Sequence, residues 1–332
     1  MKKILFIGST IRQTWALHEI SKHLETAYQC YFTPYYADGL VDVFRRFGWL
    51  ESTILGESHQ KATLNYIKKY NLKLDHRGND HDYDLVVTGS DLVVQNNIRG
   101  KKLLLVQEEI TVPDTPFTQL VEWLTVPRLL ANTSANGLSD RYDIFCVASQ
   151  GYADRYVRKG LNPEKIKVTG IPRYASLQDA RHETTVDRGV VHFATTPLSE
   201  PLKPKVRKAY LKEATQIADG RKIRIKLLPK GHVRRAKRQL RKIFPLVPIV
   251  VGDNLNQHFA RSRESICVLT AFTMAEKLHI FSDAQDVLSL MQVEQQIDSA
   301  EKIAKICRHL LNTPLPEVKD SKSGLRTRLA WE

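Results

Sequence analysis

Short, unbroken apolar runs, each closed by a glycine, a hydroxyl or an acid, restrict this chain more than any other feature. Ile4–Gly8 reads ILFIG, Asp84–Gly89 DLVVTG, Lys102–Gln107 KLLLVQ, Asp143–Ser149 DIFCVAS and Lys165–Gly170 KIKVTG. A strand with one wet face alternates apolar and polar residues, whereas a strand buried on both faces is continuously apolar. Between the runs lie amphipathic stretches. Trp15, Ala16, Ile20 and Leu24 recur at helical spacing in Gln13–Leu24, and a helix is expected at about Gln150–Lys159. QCYFTPYY (Gln29–Tyr36) reads as a further strand. Doubly buried strands separated by helices predict a parallel sheet covered on both sides.

The texture changes after VTGIPRY. Ser176–Arg188 is polar and short of apolar anchors, as a hinge would be. A second series follows: VVHFATT (Val190–Thr196), a basic helix around Lys205–Ala218, KIRIKLLP (Lys222–Pro229), a very basic helix around Val233–Ile243, PIVVG (Pro248–Gly252) and SICVLTAF (Ser265–Phe272). Ser299–Leu311 is amphipathic, with Ile303, Ile306 and Leu310 on one face. No internal repeat is present. The chain's 332 residues fit two domains at ~100–200 residues each. The expected organisation is an α/β domain over residues 1–176, a second over 186–312, and a tail over 313–332. The predicted fold class is therefore α/β, two Rossmann-like domains facing across a cleft. In such folds, ligands sit outside the carboxyl ends of the strands.

Composition narrows the function classes. With 42% hydrophobic residues and no low-complexity run, extended disorder is excluded. The four cysteines (Cys30, Cys146, Cys267 and Cys307) are widely separated, so neither a zinc ribbon nor a disulfide framework is written here, and a reducing cytoplasmic compartment is expected. The first apolar run ends after Ile7, too short for a signal segment or a membrane span. Between Lys203 and Lys242 stand sixteen lysines and arginines against Glu213 and Asp219, an excess equal to the whole chain's net charge of +14. The basic character is local, and such a surface attracts an anion: nucleotide phosphate, acidic lipid or nucleic acid.

Candidate chemistry lies at the ends of the runs. Gly8-Ser9-Thr10 is either an ordinary strand–helix turn or a set of backbone N–H groups offered to an anion. It lacks the full glycine-rich dinucleotide and P-loop patterns. Asp91, after Thr88-Gly89-Ser90, is a helix N-cap or an acid at the cleft edge. Glu108 and Glu109 follow a buried strand. They are solvated loop acids or, if partly buried, a general base for an acceptor hydroxyl. Arg173 follows the Gly170-Ile171-Pro172 turn and has reach into the cleft. In the second half Thr195, Thr196, Lys226, Lys230 and His232 gather hydroxyls and cations around strand ends, the set a diphosphate needs. Thr270, Thr273 and Glu276 bracket a strand end and a helix start suited to phosphate and ribose.

Taken in order, VTGSD, LLLVQEE, the segment Ala148–Arg173 with its G-x-x-x-x-K-I-x-V-T-G-x-P pattern, FATTP, IKLLPKGH and LTAFTMAE resemble the GT-B glycosyltransferase superfamily. The nearest-looking members are CDP-glycerol glycerophosphotransferases and UDP-N-acetylglucosamine 2-epimerases. The resemblance covers roughly residues 1–310 and is most specific in Ala148–Arg173. It implies a nucleotide-activated donor held by the second domain and an acceptor held by the first. Two departures stand out. His232 is displaced from the Lys-x-His-Pro such proteins often carry, and Phe272-Thr273-Met274-Ala275-Glu276 lacks the usual serine, its acid one residue early.

The resemblance thus implies transfer of a sugar or polyol phosphate to an envelope glycan or lipid-linked acceptor. Asp91, Glu108 or Glu109 would serve as base, with no cofactor and no metal, since cations and helix dipoles stabilise the leaving phosphate. The alternatives are a UDP-sugar 2-epimerase and a degenerate GT-B protein that only binds an anion. The basic segment Lys203–Lys242 suits an anionic membrane, giving a cytoplasmic protein peripheral to its inner face, or is simply a solvated basic face. No aromatic residues interleave with the cations, which speaks against nucleic acid.

Overall fold

The computed structural model describes residues 1–51, 53–107, 137–172, 187–195, 216, 219–227, 234, 237–238, 241–242, 248–251, 262–268, 277–281 and 298–314; over most of the second sheet it is the backbone that is described. Six strands form the first sheet: β1 (Lys3–Gly8), β2 (Gln29–Pro34), β3 (Leu85–Thr88), β4 (Leu103–Val106), β5 (Ile144–Val147) and β6 (Ile166–Val168). Their order is β2-β1-β3-β4-β5-β6, and every pairing is parallel.

Side-chain alternation in a strand explains the unbroken apolar runs. Leu5, Ile7, Val86, Leu103, Leu105, Phe145 and Val147 enter one core. Their neighbours Ile4, Phe6, Leu85, Val87, Leu104, Val106 and Cys146 enter the core on the other face. The second core is covered by α1 (Ile11–Lys22) through Leu17 and Ile20, and by α3 (Glu57–Lys69) through Ile67. The first takes Tyr152, Ala153 and Tyr156 of α4 (Gln150–Arg158). Between β2 and α3 lies the short α2 (Gly39–Arg46).

The second sheet comprises β7 (Asp187–Thr195), β8 (Lys222–Leu227), β9 (Ile249–Val251), β10 (Ser262–Val268) and β11 (Lys277–Phe281), in the order β11-β10-β7-β8-β9 and again all parallel. No pairing joins the two sheets among the described strands. Residues 187 and 188, the end of the expected hinge, already belong to β7, and the KLHIF strand β11 is not among the expected elements.

The last helix, α5 (Ser299–Asn312), changes the expected grouping. Its sequence follows the second sheet, yet Ile303, Ala304, Cys307, Leu310 and Leu311 are buried in the first sheet's core beside α1. Full burial of one such Leu or Ile contributes about 1.5–3 kcal/mol, so the helix is firmly seated there. Lysine ammonium groups close its end: Lys2 donates to the carbonyl of Leu311, and Lys102 to those of Leu310 and Thr313. Cations belong at this negative end of the helix dipole. An amphipathic stripe shows that a helix must be buried, but not against which sheet.

Candidate functional site

In a sheet ordered β2-β1-β3, connections leave β1 and β3 in opposite directions, and a crevice opens between their carboxyl ends. The first sheet has this switch between β1 and β3, the second between β7 and β10.

At the first switch the chain is stitched by its own polar side chains. Thr10 caps α1, its hydroxyl accepting the Gln13 N–H at 3.1 Å. Gln13 is buried, and its Oε1 accepts the Ser9 N–H at 2.6 Å. The same side chain lies directly over Gly89, where a Cβ would come within 1.8 Å of Nε2. Only glycine allows β3's exit loop to pass this close. A Cβ on Gly8 would likewise meet Thr14 Oγ1 at 2.2 Å. The backbone N–H of Ser9, an expected anion donor, is thus already bound, and reaches a phosphate only if Gln13 turns away. Sequence reading misses Gln13; a glutamine three residues after a Thr N-cap is the available signal.

Asp91 is 3% exposed. Its Oδ1 accepts the Gly137 N–H at 2.7 Å and its Oδ2 the Ser139 N–H at 2.9 Å. Tyr142 Oη closes the same loop by donating to the Gly137 carbonyl at 2.5 Å. With an oxygen on each of two backbone donors, Asp91 anchors this loop to the exit of β3. Nor does it cap a helix: residues 92–95 are not helical, and its two oxygens reach a loop 46 and 48 residues further on.

The remaining strand ends follow the same pattern. Thr88 Oγ1 accepts the Ser90 N–H at 3.3 Å. Gln107, buried at the end of β4, accepts the Ala148 N–H at 2.9 Å and so ties β4 to the exit of β5. Ser149 caps α4, and the Thr169 and Gly170 amides both bond the Val147 carbonyl, at 3.0 and 3.2 Å. Tyr35, buried after β2, both donates to the Val93 carbonyl (2.9 Å) and accepts its N–H (2.7 Å), and burial raises its hydroxyl pKa. Burial pushes the Cys146 thiol up to about 12, so it stands as a neutral thiol in the core.

Glu108, Glu109, Arg173, Thr196, Lys230, His232, Thr270, Thr273 and Glu276 lie outside the described residues, as does the helix expected around Lys205–Ala218 except for Gln216, which is helical. Thr195 and Lys226 are placed by their backbone. Thr195 ends β7 opposite Leu227, and Lys226 is the next-to-last residue of β8 opposite Ala194. Both therefore occupy the carboxyl edge, Thr195 beside the second switch and Lys226 one strand further from it. Arg234, Lys237, Arg238, Arg241 and Lys242 have helical backbone, and all but Lys237 are exposed.

Asp80, Asp82 and Asp84 form an alternating acidic run after α3, and each is engaged locally: Asp80 with the His76 N–H, Asp82 with Lys101, and Asp84 with the Lys3 N–H. Among the described residues no cluster of three or more His, Cys, Asp or Glu is arranged to hold a metal ion. Among them, too, no helix is long and apolar enough to cross a membrane.

Solved structures match this fold along nearly the whole chain. A Listeria monocytogenes protein assigned to the UDP-N-acetylglucosamine 2-epimerases matches with a TM-score of 0.55 and 12% identity over 95% of this chain and 98% of its own. S. aureus MnaA in its structure with UDP matches at 0.53 and 12%, over 94% and 97%. The Neisseria meningitidis UDP-GlcNAc 2-epimerase bound to UDP-GlcNAc matches at 0.50 and 8%, over 95% of each chain. At these identities the likeness establishes the fold, and the fold is GT-B-like. No protein-family model and no curated protein matches the sequence.

Proposed function

We propose that this chain is a nucleotide-sugar-dependent enzyme of the GT-B type that moves a sugar or polyol phosphate onto a hydroxyl of an envelope glycan or lipid-linked acceptor. The observation that carries the sugar-nucleotide part is the near full-length fold match to proteins whose structures hold UDP or UDP-GlcNAc. The transfer part rests on the resemblance in Ala148–Arg173. Lys226, Lys230, His232, Arg173 and the hydroxyls of Thr195, Thr196, Thr270 and Thr273 hold the diphosphate in this reading, with Glu276 on the ribose. Cations and hydroxyls of this kind stabilise the charge that builds on a departing nucleotide. Glu108 or Glu109 takes the proton from the acceptor. Asp91 acts behind them, fixing the loop at residues 137–139. The basic segment Lys203–Lys242 faces an anionic surface.

A second reading, 2-epimerisation of a UDP-sugar, is favoured by the identity of the structural neighbours above. One experiment separates the two. Incubation with UDP-GlcNAc or CDP-glycerol, with and without a glycan acceptor, is followed by nucleotide release and sugar analysis. Transfer releases nucleotide only with acceptor, and epimerisation changes the sugar without one. Unaltered donors in every arm would sink both. A charge-assisted phosphate contact is worth ~1.5–3 kcal/mol, so Lys226→Ala should weaken nucleotide binding at least about tenfold by calorimetry. An unchanged affinity in the folded variant would remove Lys226 from the site.

A further inference from the structure

The helical backbone that follows β8 does more than a diphosphate contact requires. Arg234, Lys237, Arg238, Arg241 and Lys242 are helical there, and all but Lys237 are exposed. At ~3.6 residues per turn, the five positions fall within an arc of ~140° along ~12 Å of axis. They make one cationic face.

Nothing in its own stretch neutralises that face. Eleven lysines and arginines, and no Asp or Glu, stand between Gly220 and Gly252. Among the described residues, no carboxylate forms an ion pair with any of the five. Other surface helices of this chain do pair their cations along the helix: Lys22 with Glu19, Lys61 with Glu57, Lys305 with Glu301. Here the i, i+4 neighbours are Arg234–Arg238, Lys237–Arg241 and Arg238–Lys242, like charges that weaken a helix. A face that costs stability and lacks acids is suited to an anion from outside the chain.

Topology says which anion. β8 and β9 are neighbouring parallel strands, so the stretch between them crosses from the carboxyl end of β8 to the amino end of β9. It leaves from the edge where Lys226 stands, on the strand beside β7 and the second switch. No Phe, Trp or Tyr lies between Tyr210 and Phe244, so the face has no ring on which a base could stack. A helix that enters a bilayer shows apolar side chains outward, whereas every described exposed position here is a cation.

We propose that this face is an electrostatic collector for the nucleotide-activated donor, drawing its diphosphate toward the second switch without holding it once bound. The proposal rests on the sugar-nucleotide reading above and adds how the donor arrives. The rest of the basic segment is left to the anionic surface. A field of one sign raises the arrival rate of an oppositely charged ligand by roughly 10- to 1,000-fold. Charges rimming a site act on arrival, and charges touching the ligand act on release. The cationic face and Lys226 thus have separate tasks.

The test is stopped-flow association of the full chain with fluorescent derivatives of UDP and CDP. Raising ionic strength from about 0.01 to 1 M shortens screening from ~30 to ~3 Å and should slow wild-type arrival at least about tenfold. The fourfold variant R234Q/R238Q/R241Q/K242Q should arrive about tenfold more slowly at low salt, converge with wild type at high salt, and release nucleotide at the wild-type rate. Lys226→Ala should instead act mainly on release. The double variant R238Q/K242Q, expected to be about threefold slow, keeps the test open to failure if the fourfold variant misfolds. A folded variant that arrives as fast as wild type, or that only releases faster, overturns the collector. So does wild-type arrival that ignores salt. Retention on acidic vesicles or RNA through these residues, with nucleotide arrival indifferent to their loss, would give the face another anionic partner. Failure of both nucleotides to bind at any salt is a different result: it sinks the sugar-nucleotide reading, and the collector with it.

Discussion

At the carboxyl edge of the first sheet, Ser9, Gln13, Asp91 and Gln107 are polar, buried and bonded to backbone groups of neighbouring strand exits. At the end of α2, in the same half of the chain, Phe47 and Trp49 are aromatic and exposed. The two regions invert the ordinary distribution of polarity in opposite senses. A buried polar group is stable only if its partners are fixed, so the edge is a rigid frame that presents whatever the loops beyond it carry. An exposed apolar ridge has no such internal compensation.

The largest expected effect lies at the edge. Asp91→Ala leaves the Gly137 and Ser139 amides without their acceptor in a buried setting and should cost about 3 kcal/mol or more in urea unfolding. A cost below ~1 kcal/mol would mean that the edge is not the rigid half of the comparison.

A smaller effect is expected behind the ridge, and it depends on pH. Burial alone would raise the carboxyl of Asp42, but hydrogen bonds from Arg45 and Arg46 and the charge of Arg77 outweigh it and hold the group below its usual 3.8. A depressed carboxyl stabilises the fold above its unfolded value, and that contribution is lost as pH falls through the folded value. Asp42→Asn should therefore cost about 1–2 kcal/mol at neutral pH, with the gap to wild type closing only as pH drops below the usual carboxylate range. A gap independent of pH would show that Asp42 does not organise the arginines as an anion.

The smallest effect sharpens the contrast itself. Phe47→Ser removes an exposed ring and should change stability by no more than about 0.5 kcal/mol, measured by thermal or urea unfolding. A larger loss would place Phe47 in a core and dissolve the distinction between ridge and edge.

Periodicity carries far in this chain. Doubly buried strands have to be continuously apolar, so ILFIG, LVVT, LLLV and IFCV announce a parallel sheet, and the turn residues after them announce its carboxyl edge. The short strand at Lys277–Phe281 is hidden because KLHIF mixes a cation and an imidazole among its apolar residues. The site is less legible. Asp91 comes after a strand–glycine turn, which in sequence looks the same whether the acid meets a ligand or a distant loop. Its partners are Gly137 and Ser139, and no local pattern links positions so far apart. Gln13 is only half legible: its place three residues after the Thr10 cap can be read, but its packing over Gly89 at the exit of β3 cannot.

The sequence by itself determined the features that depend on neighbours along the chain: strand burial, helix caps such as Thr10 and Ser149, and the confinement of the net charge to Lys203–Lys242. The tertiary structure alone decided three things. It sent α5 back to the first sheet under the ammonium groups of Lys2 and Lys102, turned Asp91 into an anchor, and left the aromatic face of α2 uncovered. The physical reason is common to all three. An amphipathic helix or a lone carboxylate specifies that it needs a partner, and only the three-dimensional arrangement of the chain specifies which partner is in reach.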